Sequence, residues 1–246
     1  MKLYVNGDSH SAGAEAVHSA AFAEDDRRYQ HLGRRPHPLN LEASYGAKLA
    51  KMLDAEFVCD AESASSNDRI IRTTMDYLNN NIANKPDLIV IGWATWEREE
   101  WLHNGVRWQV NAGGIGDGWP QEIKDRYKTW VINQMEPEVI NQKLVDAHSQ
   151  VIALHDLLTY LQIPHIFFNT YLDFSHLYAI GYDRYPPANW RNSYIHPYDP
   201  EYTYYNWLKA KGFETATKHS YHFKADAHTA WAEWLYSHYV QNLLTK

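Results

Sequence analysis

The triplet Gly7–Asp8–Ser9 closes the apolar run Leu3–Tyr4–Val5. It reads as a buried strand ending in a tight turn that displays a serine, a setting suited to a nucleophile. A hydroxyl attacks carbonyl carbon usefully only when a neighbouring base takes its proton. The histidines that could do so cluster near the C-terminus, in Lys218–His219–Ser220–Tyr221–His222–Phe223–Lys224–Ala225–Asp226–Ala227–His228. A serine with a histidine base points to acyl transfer. The same segment invites a metal reading through His219, His222, Asp226 and His228, but it opens a helix and matches no zinc-ligand spacing. No metal or cofactor is expected. Gly113, Gly114, Gly116 and Gly118 are scattered and follow no strand, so they predict a flexible lid over residues 104–120 and not a phosphate loop.

Ser9 and the C-terminal histidines can meet only if the intervening chain builds a platform. Apolar runs predict strands at residues 2–7, 56–59, 87–93 and 163–169. Apolar residues at helical spacing predict helices over residues 41–53, 70–78, 122–135, 137–162, 199–211 and 225–244. Strands alternating with helices predict an α/β fold, a three-layer α/β/α sandwich with a central parallel sheet, as one domain over residues 1–246. Such sheets keep their sites beyond the carboxyl ends of the strands. The small-residue loop Asp60–Ala61–Glu62–Ser63–Ala64–Ser65–Ser66–Asn67 could offer inward backbone N–H groups or be an ordinary helix cap. Long aromatic loops are expected at about residues 10–40, 94–120 and 170–200, the last with the pair Pro186–Pro187.

These stretches, in this order, resemble the conserved blocks of the SGNH (GDSL) hydrolase family. Gly7–Asp8–Ser9 is similar to its first block, Ser63–Ala64–Ser65–Ser66–Asn67 to its second, and Gly92–Trp93–Ala94–Thr95 lies where its third belongs. The segment around His222 resembles its last block. The likeness is nearest to phage-encoded members, through the Gly-Asp-Ser-His-Ser start and the run Gly92–Trp93–Ala94–Thr95–Trp96–Glu97–Arg98–Glu99–Glu100–Trp101. The resemblance implies a flavodoxin-like fold, Ser9 as nucleophile and His222 as base. It also implies an oxyanion site of the Ser9 and Ala64 backbone N–H groups, with Thr95 or Asn67 assisting. Three positions depart from the family pattern. His219 stands where an aspartate is usual, Ala64 where a glycine is, and only Thr95 or Trp96 where the third block brings an asparagine. The group that orients His222 is therefore left open between His219, a backbone carbonyl and a carboxylate from elsewhere. Arg98 either grips a substrate carboxylate or pairs with Glu97, Glu99 or Asp68.

Bulk composition narrows the partners. The 246 residues carry 23 basic and 30 acidic side chains, a net charge of −7. Arg27–Arg28 and Arg34–Arg35 are too short to make the basic face of a nucleic-acid binder. No apolar run approaches the roughly 20 residues of a membrane span, and no signal-peptide pattern opens the chain. A cytoplasmic protein is expected, or a virion-associated one if phage-encoded. The single cysteine, Cys59, permits no internal disulfide. Ten tryptophans and 18 tyrosines are unusual, and six of the tryptophans fall between residues 93 and 130. They serve either as packing for core and lid or as a surface on which sugar rings stack. The expected substrate is a small acyl ester or an acetylated glycan. A catalytically weakened glycan-binding or virion structural protein of the same fold is the alternative. Nothing in the sequence bears on oligomeric state.

Overall fold

The computed structural model describes residues 1–23, 32–114, 118–181 and 189–244. The run at residues 24–28, Gly116 and the Pro186–Pro187 pair lie outside them. Four apolar runs form one parallel sheet: β1 (Lys2–Gly7), β2 (Glu56–Cys59), β3 (Leu88–Trp93) and, numbered here after the hairpin described below, β6 (His165–Asn169). The order is β2-β1-β3-β6. The chain leaves β1 to one side for β2 and returns to the other side for β3. The switch between them puts a crevice at the carboxyl ends of the strands.

Alternation along the strands sends successive side chains to opposite faces. Leu3, Val5, Leu88, Val90, Ile166 and Phe168 pack on one face, beneath α2 (Tyr45–Met52), α7 (Tyr204–Ala210) and α8 (Ala225–Leu235). Tyr4, Ile89, Ile91 and Phe167 pack on the other, beneath α3 (Asn67–Asn80) and α5 (Pro137–Tyr160). The three-layer α/β/α arrangement expected from the sequence is therefore the observed one. Among the described residues no helix is long and apolar enough to cross a membrane.

Where β1 meets β3, Gly7 pairs with Gly92. A Cβ on Gly7 would lie 2.1 Å from Ser11 Oγ and 2.7 Å from the Gly92 carbonyl. This close approach lets the turn after β1 fold down onto the sheet, where Ser11 Oγ accepts a 2.7 Å hydrogen bond from Tyr45.

Several elements depart from the periodicity reading, each for a local reason. The helix expected over residues 41–53 is two helices, α1 (Pro38–Ala43) and α2. Ser44 is extended between them and accepts from the Ala47 N–H with its hydroxyl. The helix expected over 199–211 starts as a 3₁₀ turn, Pro200–Tyr202, capped by Asp199. It then restarts as α7 with Thr203 as cap. The final helix passes through a π-turn at Tyr236–Val240 before α9 (Gln241–Leu244). A four-residue helix, α6 (His176–Ala179), interrupts the loop over 170–200.

The largest correction concerns residues 94–120. The expected lid is a β-hairpin in its outer half, β4 (Glu99–His103) against β5 (Val106–Val110), closed by Asn104–Gly105. Both turn residues have positive φ, 48° and 77°, as the tightest hairpin turn requires. The hairpin and α4 (Gln121–Asn133) share a minor core of Trp101, Trp108, Trp119, Ile123, Tyr127 and Trp130. Packing therefore claims most of the clustered tryptophans. Glu99 accepts from the indoles of Trp101 (2.6 Å) and Trp130 (2.7 Å), and Lys143 closes on the same carboxylate.

Replacing Gly7 by alanine is expected to destabilise the fold by about 1–3 kcal/mol, the usual range for overpacking a tight contact. Thermal or denaturant unfolding of the variant measures it.

Candidate active site

The turn after β1 curls back on itself. The Ala12 N–H donates to the Asp8 carbonyl and the Ala14 N–H to the Ser9 carbonyl, both at 2.9 Å. The curl leaves Ser9 lining a cavity of about 570 Å³ and delivers Glu15, six residues on, to the loop that carries His222. The Ala225 N–H donates to the Ala16 carbonyl at 3.2 Å and ties the two segments together.

In that loop the Ser220 hydroxyl donates to Glu15 Oε2 and accepts from the His222 backbone N–H at 2.9 Å. His222 Nδ1 stands 3.3 Å from the same Oε2, at ion-pair distance but off the line of a good hydrogen bond. With Nδ1 turned to Glu15, the other ring nitrogen is left for the cavity that His222 shares with Ser9. No hydrogen bond joins Ser9 to His222 among the described residues. Contacts of this kind commonly tighten only when substrate is in place. The approach of His222 is the main reason the Glu15 carboxyl lies below its ordinary range; burial opposes it and the Ser220 hydroxyl assists. Glu15 adopts φ 61°, a left-handed conformation that side chains other than glycine tolerate at a cost and that tends to mark functional turns.

The donors expected around an oxyanion occupy the same cavity. Among the described residues the backbone N–H groups of Ser9 and Ala64 find no acceptor. Thr95 is 6% exposed, lines the cavity, and has no partner for its hydroxyl. Ala64 is held at φ 76°, which explains why glycine is the easier residue there. The loop that holds it is braced by Arg69, whose guanidinium donates to the Asp60 carbonyl at 2.8 Å and lies 2.5 Å from buried Glu62. Glu62 in turn accepts from the Gly33 and Arg34 N–H groups. Ser66 caps α3 by accepting from the Arg69 N–H. Helix capping and display of a free N–H thus coexist in this loop, on different residues.

Asp8 is held by its neighbours. Its Oδ1 accepts from the His10 N–H at 3.0 Å, and its Oδ2 from Thr170 (3.2 Å) and Arg98 (3.5 Å). Burial raises its carboxyl, and Arg98 is the largest of the influences that oppose this. Arg98 therefore pairs with Asp8, not with Glu97, Glu99 or Asp68, although it also lines the cavity. His10 lines the cavity too, its ring 5.3 Å from that of His222. Burial, then the neighbouring His222 and Arg98, hold it well below the ordinary histidine range. Among the described residues no carboxylate pairs with its ring.

The structure brings together Ser9, His222, Ala64, Thr95 and Arg98. It does not bring in His219, whose side chain is exposed; the carboxylate facing His222 comes from Glu15. Nor does it bring in Asn67, which opens α3 and lines a smaller neighbouring cavity with Asp68 and Lys143. Glu15 and His10 escaped the sequence reading. For Glu15 the signal was faint: an acidic residue one short turn after Ser9, with no fixed spacing to the histidine.

A family of unknown function (DUF6071) matches residues 33–245, a span that begins after Ser9 and Glu15. No curated protein matches the chain. Among solved structures, the fold is shared with a carbohydrate esterase whose active site displays divergent catalytic and non-catalytic binding functions. That likeness has a TM-score of 0.52 at 14% identity over 98% of this chain and 64% of the other. An acetyl xylan esterase from the rumen bacterium Butyrivibrio proteoclasticus aligns at TM-score 0.45 and 15% identity, over 99% and 64%. A protein described as lipolytic, of the G-D-S-L family, from Desulfitobacterium hafniense aligns at 0.46 and 13%, over 95% and 96%. The chain thus spans 64% of the length of each of the two carbohydrate esterases.

Two measurements check the site's local energetics. Ala64→Gly should raise stability by about 1 kcal/mol, because glycine adopts the left-handed conformation without the side-chain clash. Glu15 has a folded-state carboxyl below its unfolded value, so its contribution is present at pH above the ordinary glutamate range and is lost as pH falls through the folded value. Glu15→Gln should therefore be less stable than wild type at neutral pH, and the two denaturation curves should converge in acid.

Proposed function

The chain belongs to a family of unknown function, and we propose that it is a serine esterase that removes short acyl groups, acetyl foremost, from a carbohydrate. The observation that carries this reading is the Glu15 carboxylate 3.3 Å from His222 Nδ1, with Ser9 in the same cavity. Serine, histidine and acid are recognised as a triad by geometry and role, not by their order in the chain.

In this mechanism His222 takes the proton from Ser9 Oγ as the oxygen bonds to the ester carbonyl carbon. Glu15 fixes the ring and stabilises the imidazolium that forms. The carbonyl oxygen gains negative charge and is held by the N–H groups of Ser9 and Ala64, with the Thr95 hydroxyl in the place of the missing asparagine. Collapse breaks the bond to the sugar oxygen, which takes the proton from His222. A water molecule then repeats the sequence on the acyl-serine and releases the acid. The sugar is inferred from the carbohydrate esterase that shares the fold and from the aromatic rings at the cavity mouth. The nearness to phage-encoded members, and with it virion association, rests on sequence motifs alone.

One observation favours a second reading, a glycan-binding protein of weakened activity. No side-chain amide stands in the short segment directly after β3, Ala94–Thr95–Trp96, and losing one oxyanion donor costs about 10²–10³ in rate.

Hydrolysis of p-nitrophenyl acetate separates the two. In the esterase reading Ser9→Ala and His222→Ala each lower kcat/KM by about 10³-fold or more, and Glu15→Gln lowers it by about 10²–10⁴-fold. His219→Ala stays near wild type. Equal rates for wild type and Ser9→Ala would sink the esterase reading in favour of binding.

A further inference from the structure

Acyl transfer leaves part of the cavity unexplained. Gln109 and Trp119 line it, are 5% and 6% exposed, and find no partner for the amide N–H₂ or the indole N–H among the described residues. Glu97 lines it as well, and its Oε2 is buried without a partner. Buried polar groups in proteins are nearly always paired, so three orphans on one wall call for an explanation. None belongs to the reacting centre. Glu97 precedes β4, Gln109 lies in β5, and Trp119 precedes α4, so all three come from the inserted hairpin unit with its own small core.

Their chemistry is complementary. The wall offers an anionic acceptor and two N–H donors. A sugar hydroxyl donates one hydrogen bond and accepts others, so neighbouring hydroxyls on a ring can satisfy all three groups. Tyr171 and Tyr221, in edge-to-face contact with each other, also line the cavity and add flat faces. The charge balance disfavours an acidic sugar. Glu97 contributes a negative charge to the wall, and the nearby cations are engaged, Arg98 by Asp8 and Lys143 by Glu99.

We propose that Glu97, Gln109 and Trp119 form a subsite that reads the hydroxyls of a neutral pyranoside next to the ester; the ester itself rests on the esterase reading above. The test is calorimetric titration of the full chain with two unesterified neutral sugars, xylotetraose and cellotetraose, and with trigalacturonate. Wild type should bind at least one neutral tetrasaccharide saturably at millimolar concentration and trigalacturonate at least tenfold more weakly. Glu97→Gln, Gln109→Leu and Trp119→Phe should each weaken the neutral sugar at least fivefold, with thermal unfolding confirming that each variant is folded. Should Gln109→Leu not fold, Glu97→Gln, which keeps size and shape, decides alone. No saturable binding of either neutral sugar, unchanged affinity in the folded variants, or equal binding of trigalacturonate overturns the subsite. Hydrolysis of p-nitrophenyl acetate by the same preparation keeps the two readings apart. Sugar binding without hydrolysis leaves the subsite standing and removes the esterase; hydrolysis without sugar binding does the reverse.

Discussion

The buried carboxylate of Asp8 is the point on which the site's geometry depends. It joins the loop after β1, through the His10 N–H, to the loop after β6, through Thr170, and to the segment after β3, through Arg98. Arg98 extends the link to the loop after β2 by donating to the Ser65 carbonyl at 3.3 Å. All four strand-end loops are thereby registered against one charge. This position is costly. Burial raises the Asp8 carboxyl above its unfolded value, so the linked stability is present in acid and is lost as pH rises through the folded value. Asp8 is better understood as a positional constraint than as a source of stability. Its hydrogen bonds and Arg98 offset the desolvation, and in return the serine beside it is aimed at a fixed place.

That constraint bears on how a glutamate from the same turn comes to face His222. An imidazole base needs a negative charge at Nδ1, and the direction from which the chain supplies it is immaterial. Here the turn that displays Ser9 is wound tightly enough to bring Glu15 round to His222, with Ser220 bridging the carboxylate to the His222 backbone. Ser9 and Glu15 therefore share one turn, and the left-handed φ of Glu15 is the local cost of that economy.

How much of this was legible in the sequence follows from the range of each interaction. The sheet was readable because buried parallel strands are nearly uninterrupted apolar runs, as Leu88–Trp93 shows. Ser9, Ala64 and Thr95 were found because each stands at the end of such a strand. Glu15 was not, since its partner lies 207 residues away and no periodicity encodes that pairing. Asn67 was misplaced for the opposite reason: Ser63 and Ala64, earlier in the same loop, line the site, but Asn67 opens α3 and lines another cavity. The hairpin was hidden by its glycines. The Asn104–Gly105 signal was present, but the glycine-rich stretch that follows it dominated the reading.

The hairpin also clarifies why so many tryptophans occur in one stretch. A two-stranded ribbon is marginal alone, and this one is held by a core of its own and by two carboxylates pointing to opposite sides. Glu99 engages Trp101, Trp130 and Lys143 on one side, and Glu100 binds Arg72 and Arg107 on the other. The wall of the cavity is thus stabilised separately from its floor. The floor, made by loops from the parallel sheet, carries the groups that would move protons and hold charge. The wall carries hydrogen-bonding groups that none of those steps requires. If the chain is the esterase proposed, a fold divided in this way can change which alcohol it accepts by altering the hairpin while leaving Asp8, Glu15 and His222 in register, and for that reason its specificity is to be sought in the insertion and its chemistry in the loops of the sheet.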